Sequence, residues 1–249
     1  MKSSLKISEV CLLAGKIMLE SGAETYRVED TMVRIAASFG AENAESYVTP
    51  TGIIFSLQGG ESPKTNIIRV VKRTTDLNKI AAVNHLSREI SAGKWTVEQA
   101  LVELKRIEKE PLLYSPALQI FVSALASACF LIMFRGQWGD FFPAFFTGGI
   151  GYFWFLTVDR LAKVRFFSEF SASVVIALAA AFFVRIGWGA ETDKIIIGSV
   201  MPLVPGLLIT NAIRDLMAGH LVAGIARGAE AFLTAFAIGS GVAMAQMFL

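Results

Sequence analysis

The chain has 249 residues, of which 54% are hydrophobic and 18% charged, and its formal net charge is +2. So apolar a composition excludes an ordinary water-soluble enzyme, and so small a charge, with no basic block interleaved with aromatics, excludes a nucleic-acid partner. Cys11 and Cys129 fall one in each half, too few for a disulfide framework or a metal cluster, and both read as small packing residues.

The first part of the chain, to about residue 110, carries the mixed charge and alternating polarity of a water-soluble domain. Lys2, Lys6, Glu9 and Lys16 interrupt the N-terminal stretch, so no signal peptide is expected and this domain is expected to stay in the cytoplasm. SEVCLLAGKIMLESG sets Val10, Leu13 and Ile17 on one stripe, predicting a helix with Ser8 as N-cap and Gly22 as terminator. A second helix over ETYRVEDTMVRIAASFG places Val28, Met32, Ile35 and Phe39 on one face and ends at Gly40. The period then changes. ESYVTPTGIIFSLQGGESPKTNIIRVVKR reads as short strands of an antiparallel meander, turning at PTG and GGESPK. Two more helices, capped by Asp76 and Thr96, complete an α+β domain over residues 1–112. AGK at 14–16 lacks the leading glycine and following hydroxyl of a P-loop, and neither metal-ligand spacing nor a nucleophile elbow occurs. His85, without a second histidine or a positioned carboxylate, reads as a structural or surface residue. No metal, cofactor or enzymatic activity is expected.

After the charged segment ELKRIEKE the composition shifts. Residues 116–134, 141–158, 195–213 and 231–249 are free of Asp, Glu, Lys and Arg and long enough to cross a hydrocarbon core of about 30 Å as helices. Residues 170–184 reach that length if Arg185 snorkels outward and residues 186–188 complete the span. The expected architecture is an α-helical polytopic membrane protein, with five transmembrane helices over 113–249 and an N-terminal cytoplasmic α+β domain containing a small antiparallel sheet. Lys105, Arg106 and Lys109 before the first span, and Arg160, Lys163 and Arg165 after the second, place those segments inside; fewer basic residues, Arg135, Arg185 and Lys194, fall on the other side.

At SGAETYRVEDTMVRIAASFG followed by SYVTPTGIIFSL, through LNKIAAVNHLSREISAG, and again at MPLVPGLLITNAIRDLMAGHLVAGIARGAEA, the chain resembles the threonine/serine exporter family of membrane proteins over most of its length. The resemblance implies a subunit of a secondary transporter in the plasma (inner) membrane. Its substrate would be a small hydroxy amino acid or, as in split two-component members, a dicarboxylate, and export would be driven by an ion gradient, expected to be protons. Fused members continue into a second membrane half where this sequence stops at Leu249, which implies a separate smaller multi-span subunit or a homo-oligomer.

The candidate transport residues cluster late in the chain. Pro202 and Pro205 with Gly206 break the fourth span, either lining a substrate site near the midplane or forming a structural kink. Thr210 and Asn211 could hydrogen-bond a small substrate or pack against a neighbouring helix. Arg214 and Arg227 are candidate ligands for a substrate carboxylate, and Asp215, Glu230 and Asp159 are candidate proton carriers. The segment LMAGHLVAGIA is too short to span, so it is a re-entrant turn, a hairpin, or the start of a long last helix; the alternative for Arg227 and Glu230 is a cytoplasmic loop. Gly148, Gly149 and Gly151, and the pair Gly224 and Gly228, read as points of close helix approach. Glu24, Tyr26, Arg27, Glu29 and Asp30 gather at the start of the second helix, where acidic residues suit the helix dipole and the resemblance admits a regulatory or gating role. The competing functional class is a membrane-anchored cytoplasmic sensor or enzyme domain with the spans as anchor.

Overall fold

The computed structural model describes residues 2–41, 43–58, 63–111, 114–162, 164 and 166–248, and for residues 2–4 and 63 the backbone alone. The chain forms two compact units, one from Met1–Leu112 with Leu208–Gly228 and one from Leu113–Leu207 with Ala229–Leu249. The first unit takes in a stretch, Leu208–Gly228, that composition alone assigns to the membrane half.

In the first unit, helix α1 (Lys2–Glu20) is the core element, with Val10, Cys11, Ala14, Met18 and Leu19 fully buried. Burial pushes the Cys11 thiol up to about 12, which leaves it an inert packing residue. The helix starts earlier than the predicted cap: Ile7 continues the buried stripe, and the Ser8 hydroxyl accepts a hydrogen bond from Asn66 Nδ2 at 3.0 Å. At the other end Gly22 adopts φ +90°, and the Ala23 N–H closes the turn onto the Met18 carbonyl at 3.0 Å. Helix α2 (Thr25–Ser38) buries Val28, Met32 and Ile35. Gly15 admits that face, since a Cβ there would collide with Met32 Sδ.

Strands β1 (Ala44–Thr49), β2 (Gly52–Gln58) and β3 (Pro63–Arg69) form an antiparallel meander in the order β1-β2-β3, with Val48 opposite Ile53 and Ile53 opposite Ile68. Alternation along β2 turns Ile53, Phe55 and Leu57 into the core and Ile54 outward. The turn expected at GGESPK falls largely on residues 59–62, outside the described residues. Asp76 caps α3 (Leu77–Ser91) by accepting from Asn78 and Lys79 N–H, both at 3.1 Å, and Thr96 forms a capping box with Gln99 at α4 (Val97–Lys109). His85 is exposed, 3.7 Å from the Glu89 carboxylate.

The second unit holds α5 (Pro116–Met133), α6 (Phe141–Ala162), α7 (Phe167–Arg185), α8 (Thr192–Val200) and 3-10 turns at Trp138–Asp140 and Met201–Leu203. Helix α9 (Gly206–Met217) follows a break, and α10 (Leu221–Gln246) is continuous from residue 221, ten residues before the last uncharged run. The segment before it resolves into a turn at Gly219, φ +86°, and the start of this long helix. Four helices (α5, α6 with its preceding turn, α7 and α10) are long and apolar enough to cross a membrane. The bent pair Thr192–Leu203 with Gly206–Met217 makes five if it counts as one span. Lys163, Arg165 and Leu249 lie outside the described residues.

Small residues are concentrated inside and aromatic ones outside: Ala128, Ala144, Ala172, Ala177 and Ala180 are buried beside Leu131, Ile176 and Ile195, while Phe121, Phe142, Phe153 and Phe182 are exposed. That inversion is how apolar helices approach closely in lipid. A Cβ on Gly148 would collide with Ser127 and one on Gly151 with Ile176. In the first unit's stretch Leu208–Gly228, Gly224 lies against Leu216, but a Cβ on Gly228 would meet nothing within 4 Å, so that half of the expected glycine pair is not a packing point. Cys129 is exposed and is not the packing residue that its apolar surroundings suggest. The Asp140 carboxylate, 1% exposed, accepts N–H bonds from Ala190 at 2.6 Å and Glu191 at 3.2 Å and so ties two distant loops.

Gly241 meets the Phe170 carbonyl oxygen, a backbone atom that cannot swing aside, whereas Gly239 has open space. Gly241→Ala is expected to cost roughly 1–3 kcal/mol of stability by overpacking, and Gly239→Ala to be neutral or stabilising by up to about 1 kcal/mol. Unfolding of both variants of the whole chain in mild detergent checks this.

Candidate functional site

The turn between α1 and α2 is gripped one residue at a time by side chains of α9 and α10, all within the first unit. Asn211 Nδ2 donates to the Gly22 carbonyl at 2.9 Å, and Arg227 Nη2 to the Ala23 carbonyl at 2.6 Å. Arg214 Nη1 pairs with Glu24 Oε1 at 2.6 Å. Asp215 Oδ1 accepts from both the Thr25 N–H, at 3.0 Å, and its hydroxyl, at 2.9 Å.

The chemistry suits helix ends. The first N–H groups of a helix have no partner within it and carry partial positive charge, which a carboxylate answers. Glu24 stands at the N-cap of α2 but makes no side-chain capping bond, and Asp215 supplies one from elsewhere in the chain. The guanidinium of Arg227 meets a carbonyl just past the C-terminal end of α1, where a cation is favoured. Asp215 is fully buried and Arg227 4% exposed, with Arg227 Nη1 3.3 Å from Asp215 Oδ2, so each charge is buried against the other.

Next to this clasp, Glu29 Oε1 accepts the Val48 N–H at 2.7 Å and lies 3.6 Å from His220 Nδ1. Burial and the like charge of Asp215 raise the Glu29 carboxyl, outweighing the Val48 N–H and His220. Glu24 goes the other way. Burial works to raise it, but its backbone hydrogen bond, the Arg214 hydrogen bond and the charges of Arg27 and Arg214 together hold it below the usual carboxylate range.

A second feature lies wholly in the second unit. A cavity of about 500 Å³ is bounded by α5, by Tyr152 of α6 and by Pro202 at the helix break. Tyr114, Gln119 and Ser123 are its other polar lining residues; Gln119 Nε2 donates to the Tyr114 carbonyl at 3.0 Å, and Tyr152 Oη lies 3.4 Å from Gln119 Oε1.

The sequence-predicted site residues therefore separate. Pro202 lines the cavity, Pro205 is half-buried in the break and Gly206 opens α9. Asn211, Arg214, Asp215 and Arg227 converge on the α1–α2 turn, with Thr210 exposed beside them on α9. Glu230 is half-buried on α10 and Asp159 exposed near the end of α6, neither in the clasp nor among the residues lining the cavity. Sequence reasoning missed Thr25, Ser123, Tyr152 and Asp140. The first three carry no local signal, whereas Asp140, an acid between apolar runs, could have been noticed.

The arrangement can be set beside known proteins. The profile of a family described as "Putative threonine/serine exporter" matches residues 9–249. The chain belongs to the threonine/serine exporter family. It is 28% identical over 249 residues to a Klebsiella aerogenes protein named probable succinate transporter subunit, covering 96% of this chain and 93% of that one. An Escherichia coli protein of the same name is 26% identical, with 96% and 93% covered. A probable threonine/serine exporter of Mycobacterium tuberculosis is 24% identical over 92% of this chain but only 44% of its own length. No solved structure matches the chain. The exporter family, its named relatives and the apolar helices together support a multi-pass membrane transporter.

A lowered carboxyl contributes stability that is present above its ordinary value and is lost as pH falls through the lowered one. Glu24 is therefore expected to contribute about 1 kcal/mol near neutral pH, modest because Arg214 is half exposed, and to lose it in acid below the ordinary carboxylate range. Unfolding against pH should show the gap between wild type and Glu24→Gln closing as the pH falls.

Proposed function

We propose that the chain is a subunit of a secondary transporter in the plasma (inner) membrane. It exports a small amino acid of the threonine or serine kind, or a dicarboxylate, at the expense of an ion gradient, with protons as the coupling ion. The carrying observation is the proline break: Pro202 and Pro205 interrupt an apolar helix pair, and Pro202 borders a cavity. A proline removes a backbone donor and clashes with the preceding turn, and membrane proteins tolerate such breaks where backbone lines a cavity or is re-satisfied by neighbours. Secondary transporters build their substrate sites at such discontinuities.

In this reading the bent pair is the fourth of five spans and residues 1–112 form a cytoplasmic domain, a placement supported by Lys105, Arg106, Lys109 and Arg160. Glu230 and Asp159 remain the proposed proton carriers, whereas Asp215 serves the clasp, because Thr25 and Arg227 already engage its carboxylate. Asn211, Arg214 and Arg227 would act on the substrate only if they released the α1–α2 turn. The relatives named as succinate transporter subunits favour work with a second subunit, in this reading a smaller multi-span one, and a homo-oligomer is the alternative.

Pro202→Ala and Pro205→Ala, which restore helix continuity, are each expected to lower export roughly tenfold, equivalent to about 1.4 kcal/mol on the limiting barrier. Efflux of labelled threonine, serine and succinate from cells bearing equal amounts of each protein in the membrane is the measurement. Wild-type rates in both variants would remove the break from the transport path.

A further inference from the structure

Only two carboxylate oxygens among the described residues are sealed from solvent without a hydrogen-bond partner, Asp215 Oδ2 and Glu169 Oε2. Asp215 Oδ2 lies 3.3 Å from Arg227 Nη1, so its charge is answered. Glu169 has no such cation. It makes no ion pair among the described residues; the donor that acts on its carboxylate is its own backbone N–H, and the charged group that acts on it is Asp159 at the end of α6, of the same sign. Ser123, Thr147 and Ser168 also leave side-chain oxygens unpaired in this unit, but those are neutral hydroxyls, and an unanswered carboxylate costs far more to bury.

The helix sets where this group stands. Glu169 is in the first turn of α7, at the head of a stripe that continues through Ala172, Ser173, Ile176 and Ala180, all four fully buried. Helix α10 closes on that stripe, since a Cβ on Gly241 would press on Ser173, one turn beyond Glu169, and on the Phe170 carbonyl oxygen. Residues 231–246 of α10 include no acid or base, and Glu230 stands just before them, so this helix brings the seam no countercharge. A carboxylate there can shed its charge without leaving the seam only by taking a proton and becoming a neutral carboxylic acid. Ionisable residues set among apolar membrane helices serve as proton relays in pumps and transporters. We propose that Glu169 is the group that binds the coupling proton while the seam between α7 and α10 is closed, and that the exposed Asp159 passes the proton between it and water. The proton joins the carboxylate from one side of the membrane and leaves toward the other when the seam opens. The proposal rests on the proton-coupled transport reading and adds Glu169 to the carriers named there.

Two readouts on the intact chain test it. The first needs no transport: infrared titration of the purified protein in mild detergent, following the carbonyl stretch of protonated carboxylic acid. The second is movement of labelled threonine, serine and succinate across membrane vesicles, measured as exchange at equal pH on both sides and as net flux driven by an imposed pH gradient. The expected result is a protonated-carboxyl band in the wild type that Glu169→Gln removes and Asp159→Asn leaves in place, with Glu169→Gln keeping exchange and losing the response to the gradient. Glu169→Asp, which keeps the carboxyl, carries the test if Glu169→Gln fails to fold: it should move the band and keep the gradient response. Absence of the band in the wild type, or a band that neither variant alters, overturns the proton site. Folded Glu169→Gln that still responds fully to the gradient, or that loses exchange along with driven flux, overturns the coupling role. Wild-type flux that ignores the pH gradient while the Glu169 band is present counts against the proton-coupled reading and in favour of the site.

Discussion

One buried carboxylate organises the first unit. Asp215 places its charge at the buried N-terminal N–H end of α2, a position that the chain's own N-cap residue leaves unfilled, and it does so across 190 residues of sequence. The same carboxylate is what makes burial of Arg227 affordable, and Arg227 in turn holds the carbonyl of Ala23. With Asn211 on Gly22 and Arg214 on Glu24, four consecutive residues of one turn are fixed by four side chains from two short helical segments. The stretch Leu208–Gly228 is therefore part of the first unit for a stated electrostatic reason, despite its apolar composition.

The second unit is held by different physics. Its interior is rich in alanine, glycine and serine around a few large residues such as Leu131, Ile176 and Ile195, so its helices approach closely, and many of its aromatic side chains face out. Where a charge is buried, as at Asp140, it is consumed by backbone N–H groups at loop ends. The cavity beside Pro202 is marked by the broken helix at its wall; the unpaired hydroxyl of Ser123 is matched by those of Thr147 and Ser168 elsewhere in the unit. Membership of the exporter family supplies the class of function; the break and the cavity are the place we propose for it.

What the sequence makes legible is what is local. Asp76 and Thr96 are recognisable caps because their partners lie two or three residues away, and the meander shows itself through alternation around Ile53, Phe55 and Leu57. Ser8 misleads because a serine inside a helix looks like one before it; only Asn66, across the unit, shows where its hydroxyl goes. The start of α10 is obscured for a related reason. Arg227 looks like the edge of a membrane segment until Asp215 is placed beside it, and no window of sequence contains both that pair and the turn it holds. Asn211, Arg214 and Arg227 were readable as unusual polar residues in an apolar stretch, but whether they face a solute or the protein itself depends on contacts nearly two hundred positions away. Ser123 lies one helical turn before Ser127, whose hydroxyl is satisfied locally, and nothing in the sequence separates the two.

The claim that the buried pair of Asp215 and Arg227 is the keystone of the first unit is tested most directly by a double-mutant cycle on the whole chain in detergent, using Asp215→Ala, Arg227→Ala and both together. Each single change should cost about 3–5 kcal/mol, because it strands a buried charge, and the double variant should cost less than the sum by at least about 1.5 kcal/mol. Additivity within about 0.5 kcal/mol would mean that the two residues act independently, and would contradict this account.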